Sequence, residues 1–425
     1  MAVLLLQGPL GPFFEKFAAY LQDAGEIVHK VNFNGGDEFY NTGRYSQQHR
    51  FADTLEQWPA FLSDLIDSQH IEQVFVYGDC RQYHASAKAV CQTKNVRYFA
   101  FEEGYLRPNF ITLEEGGVNG HSPVNPAAVR GYRPIHKLPD EVELGSNFVN
   151  RFKFASVYYN SAVTKRWVYR HYQHHRSFSP VYEAFCWLRS GFRKTKYKWT
   201  QRDLLDPILD QPFFLVPLQV HNDAQILHHS PYESIEHFIE EVLTSFKNSG
   251  SEAKLVLKHH PMDRGHTHYG SFIHRIARRL NLLERVVYLH DNHLPTLLKH
   301  CCGVVTINST TALQAFYHGA PVKVLGDAFF DMDGLTDQNP LSEFWHCPQF
   351  IDMNLADRFR AYLIAHGQIN GSYYCHWDLT LNNLMTYLYE SGVFVRLEDP
   401  LTASTHAPAN SSLTAAQAAQ HSRVA

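Results

Sequence analysis

The sequence predicts an α/β protein with two Rossmann-like domains that face a cleft, and with helices towards its carboxyl terminus. Strands and helices alternate through the first hundred residues, and the alternation resumes after a basic, aromatic segment in the middle of the chain. A length of 425 residues suits two domains better than one. Because open α/β sheets bind ligands beyond the carboxyl ends of their strands, we expect the functional residues at the strand ends.

The first series follows the pattern of a parallel sheet that is covered by helices on both faces. Its strands are VLLLQG, EIVHKVNF, QVFVYGD and VRYFAFEEG, and its helices are FFEKFAAYLQDAG, DTLEQWPAFLSDLIDS and RQYHASAKAVCQTKN. Pro59 is expected to start, kink or break the second of these helices. The segment NGGDEF is expected to be a loop, and residues 109–150 are expected to be loop-rich because they hold several glycines and prolines.

The second series repeats this pattern and completes the predicted domain organisation. Its strands are FFLVPLQV, AKLVLKHHP, RVVYLHD, GVVTIN and PVKVLGD, and its helices are SIEHFIEEVLTSFKNSG, SFIHRIARRLNL, LPTLLKHC and STTALQAFYHG. Further helices are expected near residues 355–366 and 378–391, before a tail of small and polar residues that should be disordered. The predicted boundaries are 1–150 and 206–350 for the Rossmann-like domains, 151–205 for a basic aromatic insert, 351–398 for carboxyl-terminal helices and 399–425 for the tail.

Composition narrows the class of protein. A formal net charge of -4 argues against a globally basic nucleic-acid binder. The seven cysteines form no C-x-x-C pair, which favours a reducing compartment. The apolar amino terminus lacks a basic start, so we interpret it as a first strand rather than a signal peptide. A membrane-spanning helix is not predicted, because no run of about 18 apolar residues occurs.

Two strand ends of the first series carry candidate site residues. Gln7 and Gly8 end the first strand, where a turn presents backbone N–H groups to an acceptor or an anion, or is simply an ordinary turn. Glu102 and Glu103 end a later strand, and a carboxylate in a partly dry cleft can act as a general acid or base. Adjacent strand residues point to opposite faces, so the two glutamates should differ in role. Arg107 could pair with one of them in a salt-bridged loop.

The strand ends of the second series favour an anionic ligand. Gln219 and Asp223 follow its first strand, and Asp223 is either a helix cap or a carboxylate nucleophile or base on the cleft. A cluster of basic residues and histidine follows the next strand: Lys258, His260, Pro261 and Arg264. Residues for a phosphate site, or for simple helix capping, follow two strands later: Asn308, Ser309 and Thr310. The 27 histidines show no H-E-x-x-H motif and no matching cysteine pairs, so no metal site is predicted.

A set of ordered motifs resembles those of the KpsS-type capsular polysaccharide proteins, over roughly residues 3–375. The motifs are LLLQGPLGPFF, NFNGGDEFY, GDCRQYH, FEEGYLRP, EEGGVN, QHHRSFSPVYEA, LQVHNDAQI, KHHPMDRG and VTINSTTALQA. The resemblance implies a GT-B-like fold and a retaining β-Kdo glycosyltransferase of Gram-negative bacteria, with CMP-Kdo as donor and a phosphatidylglycerol-type lipid as acceptor. It also implies that a KpsC-type transferase then extends a short Kdo linker on which the capsule is exported.

The resemblance also implies which residues bind the donor. His260 and Pro261 match an HP motif that is associated with CMP binding. Ser309 and Thr310 match a hydroxyl pair near the phosphate. Gln7, Gly8, Gln219 and Arg107 are left as candidates for contacts with the acceptor or the sugar.

The candidate residues have the chemistry that the implied reaction requires. Transfer of an acidic ketose passes through an oxocarbenium-like state, and retention by two inversions needs a carboxylate nucleophile and a second group for proton transfer. By resemblance, Asp223 is the nucleophile and either Glu102 or Glu103 is the acid/base. Cations such as Lys258 and Arg264 could neutralise the departing CMP, so neither a metal nor another cofactor is expected.

The composition of the middle segment favours binding to a lipid surface. Residues 151–202 contain twelve Lys or Arg, one acidic residue and fourteen aromatic residues, among them Trp167, Trp187 and Trp199. This composition predicts binding to the cytoplasmic face of the inner membrane. The alternative is a solvated or RNA-binding pair of helices, but a nucleic-acid partner is not expected. Two other functions stay open: a non-enzymatic component of the capsule export complex that binds a CMP-sugar and lipid, and a transferase of another CMP-sugar such as sialic acid.

Overall fold

Two β-sheets, each flanked by helices, organise the computed structural model, which describes residues 1–134, 141–145, 147–174 and 180–395. The strands are β1 (Ala2–Leu5), β2 (Ile27–Asn32), β3 (Gln47–Arg50), β4 (Ile71–Tyr77), β5 (Arg97–Glu103), β6 (Phe110–Glu115), β7 (Phe213–Pro217), β8 (Lys254–Lys258), β9 (Val286–Leu289), β10 (Gly303–Thr306), β11 (Val322–Val324) and β12 (Gln368–Asn370). The helices are α1 (Phe13–Asp23), α2 (Gly35–Tyr40), α3 (Trp58–Gln69), α4 (Gln82–Lys94), α5 (Pro126–Gly131), α6 (Phe148–Thr164), α7 (Pro180–Thr200), α8 (Leu205–Leu209), α9 (Ala224–His228), α10 (Ile235–Ser249), α11 (Gly270–Arg279), α12 (Leu294–His300), α13 (Thr311–Tyr317), α14 (Leu341–Phe344), α15 (Met353–Ala365) and α16 (Trp377–Glu390).

The first domain is built on a seven-stranded sheet with the order β12-β6-β5-β4-β1-β2-β3. Strands β1 to β5 are parallel, β6 pairs antiparallel with β5, and β12 pairs antiparallel with β6. Every residue of β1 is buried, as expected where helices cover both faces of a parallel sheet. The strand order reverses between β1 and β4, and the crevice at such a reversal is where open α/β sheets bind ligands.

The second domain is built on a parallel sheet with the order β11-β10-β7-β8-β9. Counted from its own first strand, this order is the same as in the parallel part of the first sheet, with the reversal between β7 and β10. The stacked rings of Tyr105 and Phe329, with centroids 4.3 Å apart, lie where the domains meet. The predicted fold class of two Rossmann-like domains in a GT-B-like arrangement is confirmed.

One local prediction for the first domain is wrong. The segment NGGDEF forms helix α2, because the Asn34 side chain accepts hydrogen bonds from the N–H groups of Gly36 at 2.7 Å and Asp37 at 3.1 Å. The prediction that the region 109–150 is loop-rich is confirmed: it contains β6 and α5, but more than half of its described residues lie outside strands and α-helices. Strand β6 turns back on β5 so tightly that a Cβ on Gly104 would lie 2.0 Å from the carbonyl oxygen of Phe110.

The carboxyl-terminal segment contacts both domains. Helix α15 packs in the core of the second domain through Phe359. Strand β12 then pairs with β6 of the first sheet, and α16 buries Leu381 and Leu384 in the same core as Phe13. The two helices predicted in this segment are confirmed, whereas the predicted disordered tail lies outside the described residues.

The basic aromatic segment forms two long helices that are attached to different domains. Helix α6 packs closely on α2, where a Cβ on Gly35 would lie 2.2 Å from the carbonyl oxygen of Ser161. Helix α7 is held on the second domain by Arg189, whose Nε donates to the carbonyl oxygen of Gly265 at 2.6 Å. The helices also meet each other, because the ring of Phe152 lies 5.9 Å from that of Trp187.

Large apolar side chains are exposed along these two helices and the chain between them. They are Phe148, Val149, Phe152, Val157, Val163, Trp167, Tyr182, Phe185, Leu188, Phe192 and Trp199. Within the described ranges, no helix combines the length and the apolar character needed to cross a membrane. The predicted insert is therefore helical and carries an exposed apolar surface among its basic residues.

Candidate active site

The carboxyl end of β1 is tied to the basic segment by a buried polar network. The Nε2 of Gln7 donates to the Tyr158 hydroxyl at 2.8 Å, and its Oε1 accepts from Nη1 of Arg81 at 3.2 Å. A Cβ on Gly8 would lie 2.7 Å from the Phe14 ring, so packing alone already requires glycine there. The role of Gln7 and Gly8 in acceptor binding stays a prediction.

The structure gives the two adjacent glutamates at the end of β5 different surroundings. The Oε1 of Glu103 accepts hydrogen bonds from the hydroxyls of Tyr77 at 3.2 Å and Tyr374 at 3.3 Å, and it lies 3.4 Å from Nη1 of Arg151. Glu102 accepts a hydrogen bond from the N–H of Glu103 at 2.9 Å and makes no ion pair in the described part of the chain. Glu103 therefore belongs to a polar network, while Glu102 has no cationic partner at contact distance among the described residues.

The Glu102 carboxyl is far less acidic than usual. Burial is the largest cause and raises its pKa to about 7, and the charge of Glu103 adds to the rise. The N–H of Glu103 and the positive charges of Arg81 and Arg107 act in the opposite direction, because they favour the ionised form. A carboxyl that titrates near neutrality can take up or release a proton under physiological conditions.

Arg107 connects the two sides of the cleft electrostatically. Its side chain is exposed, and its Nε donates to the carbonyl oxygen of Gly104 at 3.2 Å. Its charge lowers the pKa of Glu102 in the first domain and that of His260 in the second. An exposed guanidinium within range of both groups is well placed to meet an anion in the cleft.

His260 is held as a neutral hydrogen-bond donor. Burial, followed by the charge of Arg107, lowers its pKa to about 4. Its Nδ1 accepts from the N–H of Met262 at 3.2 Å, so the proton of the neutral ring resides on Nε2. Pro261 begins the short turn Pro261–Asp263 that follows. The Nε2–H is thus available to donate to a ligand.

The two predicted cations near His260 have protein partners. Lys258 is buried, its Nζ donates to the carbonyl oxygen of His290 at 3.1 Å, and burial lowers its pKa to about 8. Arg264 is also buried and forms an ion pair with Asp291. Both side chains therefore hold the chain that follows β9 against β8. Their predicted part in donor binding stays a prediction.

Gln219 and Asn308 join the ends of β7 and β10 where the strand order reverses. The Nε2 of Gln219 donates to Oδ1 of Asn308 at 3.0 Å, and the backbone N–H of Asn308 donates to Oε1 of Gln219 at 3.3 Å. The Nδ2 of Asn308 donates to the carbonyl oxygens of Gln225 and His229, each at 2.9 Å. These bonds fix the floor of the predicted phosphate site.

The predicted hydroxyl pair, Ser309 and Thr310, directly follows Asn308 in the chain. The Ser309 hydroxyl lies 3.1 Å from that of Thr311 and accepts from the Thr311 N–H at 3.2 Å. The Thr310 hydroxyl makes no hydrogen bond within the described ranges. Both side chains are partly exposed, and their contact with a phosphate stays a prediction.

Asp223 caps helix α9 with one of its two oxygens. Its Oδ1 accepts from the N–H of Gln225 at 3.0 Å, whereas Oδ2 makes no hydrogen bond among the described residues. The side chain is partly exposed. The cap and the nucleophile are therefore compatible interpretations, because the second oxygen remains for a ligand.

Two polar side chains of this region were not singled out in the sequence. Arg81 bonds Gln7 and acts on the Glu102 carboxyl. The Nδ1 of His221 lies 2.6 Å from Oδ1 of Asp263, a buried carboxyl whose pKa is lowered by hydrogen bonds from His221 and other groups against the opposing effect of burial. The motifs GDCRQYH and LQVHNDAQI contain both residues, but one Arg or His in a motif does not reveal its partners.

Comparisons with known proteins cover both domains. Residues 72–374 match the family described as capsule polysaccharide biosynthesis protein. The chain is 44% identical to the capsule polysaccharide export protein KpsS of Escherichia coli over 381 residues, which covers 87% of this chain and 96% of that protein. It is 38% identical to the capsule polysaccharide modification protein LipB of Neisseria meningitidis serogroup B over 382 residues, or 88% of this chain and 91% of that protein. Among solved structures, the β-Kdo 2,7 transferase of Thermosulfurimonas dismutans KpsC is similar with 15% identity and a TM-score of 0.42, over 90% of this chain and 98% of that one.

Proposed function

The chain belongs to the capsule polysaccharide biosynthesis family, and from this membership we propose that it is a retaining β-Kdo transferase that moves Kdo from CMP-Kdo to a phosphatidylglycerol-type lipid. The observation that carries the proposal is the Glu102 carboxyl, with a pKa of about 7, near the same exposed arginine as the neutral His260. Together they supply a proton acceptor and an anion-binding donor in one cleft. The product starts a Kdo linker, which a KpsC-type transferase extends for capsule export.

In the proposed complex, CMP lies at the carboxyl ends of β8 and β10. The Nε2–H of His260 donates to the nucleotide, and Ser309 and Thr310 supply hydroxyls to its phosphate. The guanidinium of Arg107 meets the carboxylate of Kdo or the phosphate, since its planar fork matches both. Neither a metal nor another cofactor takes part in the transfer step.

Transfer proceeds by two displacements at the anomeric carbon of Kdo. The Asp223 carboxylate attacks this carbon while CMP departs with the bonding electrons, which leaves a glycosyl ester on Asp223. The hydroxyl of the lipid then attacks the same carbon, its proton passes to Glu102, and the Asp223 carboxylate is released. Glu103 is less suited to this role because Arg151 and two tyrosines already surround it.

The exposed apolar surface of the basic segment is proposed to hold the protein on the cytoplasmic face of the inner membrane. Leu188 and Phe192 lie one helical turn apart on α7 and are 76% and 72% exposed. Large apolar side chains among Lys and Arg suit the boundary of an anionic bilayer. The acceptor lipid then reaches the cleft from the surface on which the enzyme rests.

Replacing Leu188 and Phe192 together by serine is expected to weaken binding to phosphatidylglycerol vesicles by about tenfold or more, since burying each side chain contributes about 1.5–3 kcal/mol. Co-sedimentation with vesicles measures the effect. CMP binding should be unchanged, because α7 is attached to the second domain through other residues, such as Arg189.

A matched control is the pair Tyr317→Ser and Phe350→Ser. These side chains are 79% and 85% exposed but lie outside the basic segment. They should leave vesicle binding unchanged. An equal loss in both double variants would contradict a specific membrane surface on the segment.

Incubation of the full chain with CMP-Kdo and a fluorescent phosphatidylglycerol is expected to give a lipid product heavier by one Kdo residue. Mass spectrometry detects the product, and the release of CMP measures how much donor is consumed. A preference for CMP-sialic acid in competition would favour a transferase of another CMP-sugar. Absence of any product, with tight CMP binding retained, would overturn the proposal that the chain is a transferase.

One observation favours the competing, non-enzymatic function. Asp223 already has a structural use as the cap of α9, so a protein that only binds a CMP-sugar and lipid for the export complex would keep this residue too. Such a protein needs the His260 site and the membrane surface but not the chemistry of Asp223 and Glu102. Turnover by the Asp223→Asn variant separates the two functions.

A further inference from the structure

Three side chains with metal-ligand atoms meet where the two domains touch. Cys80 lies between β4 and α4, His121 lies in the turn after β6, and His229 directly follows α9 in the second domain. Their ligand atoms all lie within 4.8 Å of one another. None of the three has a role in the proposed transfer.

The separation of the Cys80 and His229 ligand atoms suits a tetrahedral metal ion. The Sγ of Cys80 lies 3.6 Å from Nε2 of His229. Zinc holds such atoms about 3.5 Å apart, because its bonds are about 2.3 Å to sulfur and about 2.0–2.1 Å to nitrogen. The rings of His121 and His229 meet edge to face, with centroids 4.5 Å apart. Three protein ligands leave the fourth position for a water molecule.

A buried carboxylate orients one of these ligands. The Oδ2 of Asp79 lies 2.8 Å from Nδ1 of His121 and accepts from the Val118 N–H at 3.3 Å. A proton on Nδ1 leaves the lone pair of Nε2 for a metal, as carboxylates arrange behind metal-binding histidines. Asp79 has no Lys or Arg partner in the parts of the chain that the structure describes. Its charge and that of a Cys80 thiolate together balance a divalent cation.

Glycines let the turn approach these groups. A Cβ on Gly120 would lie 2.4 Å from Cγ of His229, and a Cβ on Gly117 would lie 2.8 Å from Oδ2 of Asp79. Any larger residue would displace a ligand or its orienting carboxylate. The side chain of His121 is 44% exposed, which gives an ion a path from solvent.

We propose that Cys80, His121 and His229 bind a zinc-class divalent cation that clamps the first domain to the second. Asp79 orients His121, and water completes the coordination. Binding releases the proton of the Cys80 thiol to solvent as the metal–sulfur bond forms. The test of metal binding does not depend on the proposed transferase, since the metal contacts none of the residues assigned to the reaction.

Titration of the full, chelator-stripped chain with Co²⁺ and Zn²⁺ tests the site. The wild-type protein should bind one equivalent, and cobalt should show thiolate-to-metal charge-transfer absorption. Cys80→Ser should lose this absorption, whereas Cys302→Ser, which removes an exposed cysteine elsewhere, should keep it. Asp79→Asn should weaken zinc binding by about 10- to 100-fold. Wild-type binding no tighter than that of Cys80→Ser would overturn the site.

Hydrogen exchange tests the clamp separately. Zinc should slow backbone exchange both in the turn at 119–121 and around His229, and it should do so in the wild type but not in His121→Asn. Protection confined to one domain would overturn the clamp. These measurements need no sugar or lipid, so they stand whether or not the chain proves to be a transferase.

Discussion

Replacing Glu102 by glutamine is expected to lower kcat for Kdo transfer by about 10²- to 10⁴-fold, the usual contribution of a general acid or base. The Glu102 carboxyl must be ionised to accept the proton of the lipid hydroxyl. Because its pKa is raised to about 7, the wild-type rate should rise with pH through neutrality. The variant should lose this dependence. A series of initial rates between about pH 5 and pH 9 measures both effects.

Glu103→Gln is the matched control, one residue away on the same strand. Since Glu103 contacts Arg151, Tyr77 and Tyr374, its replacement should disturb that network and leave the rise of the rate with pH in place. The assignment of the proton acceptor would be reversed if Glu103→Gln abolished the pH dependence and Glu102→Gln preserved it.

Thermal unfolding distinguishes lost chemistry from lost structure in the Glu102 variant. The folded-state pKa of about 7 lies above the usual value of 4.5. The cost of keeping Glu102 in the folded protein therefore grows as the pH rises from about 4.5 to about 7, and it is constant at higher pH. Glutamine cannot ionise. The variant should therefore unfold at a higher temperature than the wild type at about pH 8, by about 1–3 kcal/mol in stability, with a smaller gain at about pH 5.

The Asp223→Asn variant should lose transfer by on the order of 10⁴-fold or more, as expected when a nucleophile is removed. Asparagine is as good a helix cap as aspartate, so α9 should keep its hydrogen bond to the Gln225 N–H. The substitution therefore removes the negative charge and nucleophilicity while retaining the structural role. Unchanged CMP binding, measured by calorimetry, should accompany the loss of product.

Ser234→Ala provides the control for capping alone. Ser234 caps α10 of the same domain by accepting from the His237 N–H at 3.2 Å. Its loss should cost about 1 kcal/mol of stability without affecting turnover at saturating substrate. A fully active Asp223→Asn protein would remove Asp223 from the reaction and leave the cap as its function.

The periodic parts of the fold were predictable because each strand and helix carries its own signal. Continuous apolar runs such as that of β1 reflect burial on both faces, which is a local property of the segment. The antiparallel edge was not predictable in this way. Strand β6 pairs with β12, and Ile111 meets Ile369, a neighbour that no local pattern reveals.

The side-chain partners in the candidate site were likewise not predictable from the sequence. Strand ends drew attention to polar residues, but a sequence does not tell which of them already have partners. Lys258 has the carbonyl oxygen of His290, and Arg264 has Asp291. The choice between Glu102 and Glu103 likewise depends on Arg151, which lies on helix α6, far from both glutamates in the sequence. Side chains that are widely separated along the chain leave no spacing motif, so the cluster of Cys80, His121 and His229 is not apparent from the sequence.

The return of the chain to the first domain has a consequence for biosynthesis. The ribosome releases the first five parallel strands early, yet β12 and α16 emerge only after the whole second domain has been made. Until then, the edge of β6 lacks its neighbour, and the core around Phe13 lacks Leu381 and Leu384. The domain that is translated first is therefore completed last, and a nascent chain that stops before β12 leaves an open sheet edge and an uncovered apolar face for chaperones or proteases to recognise.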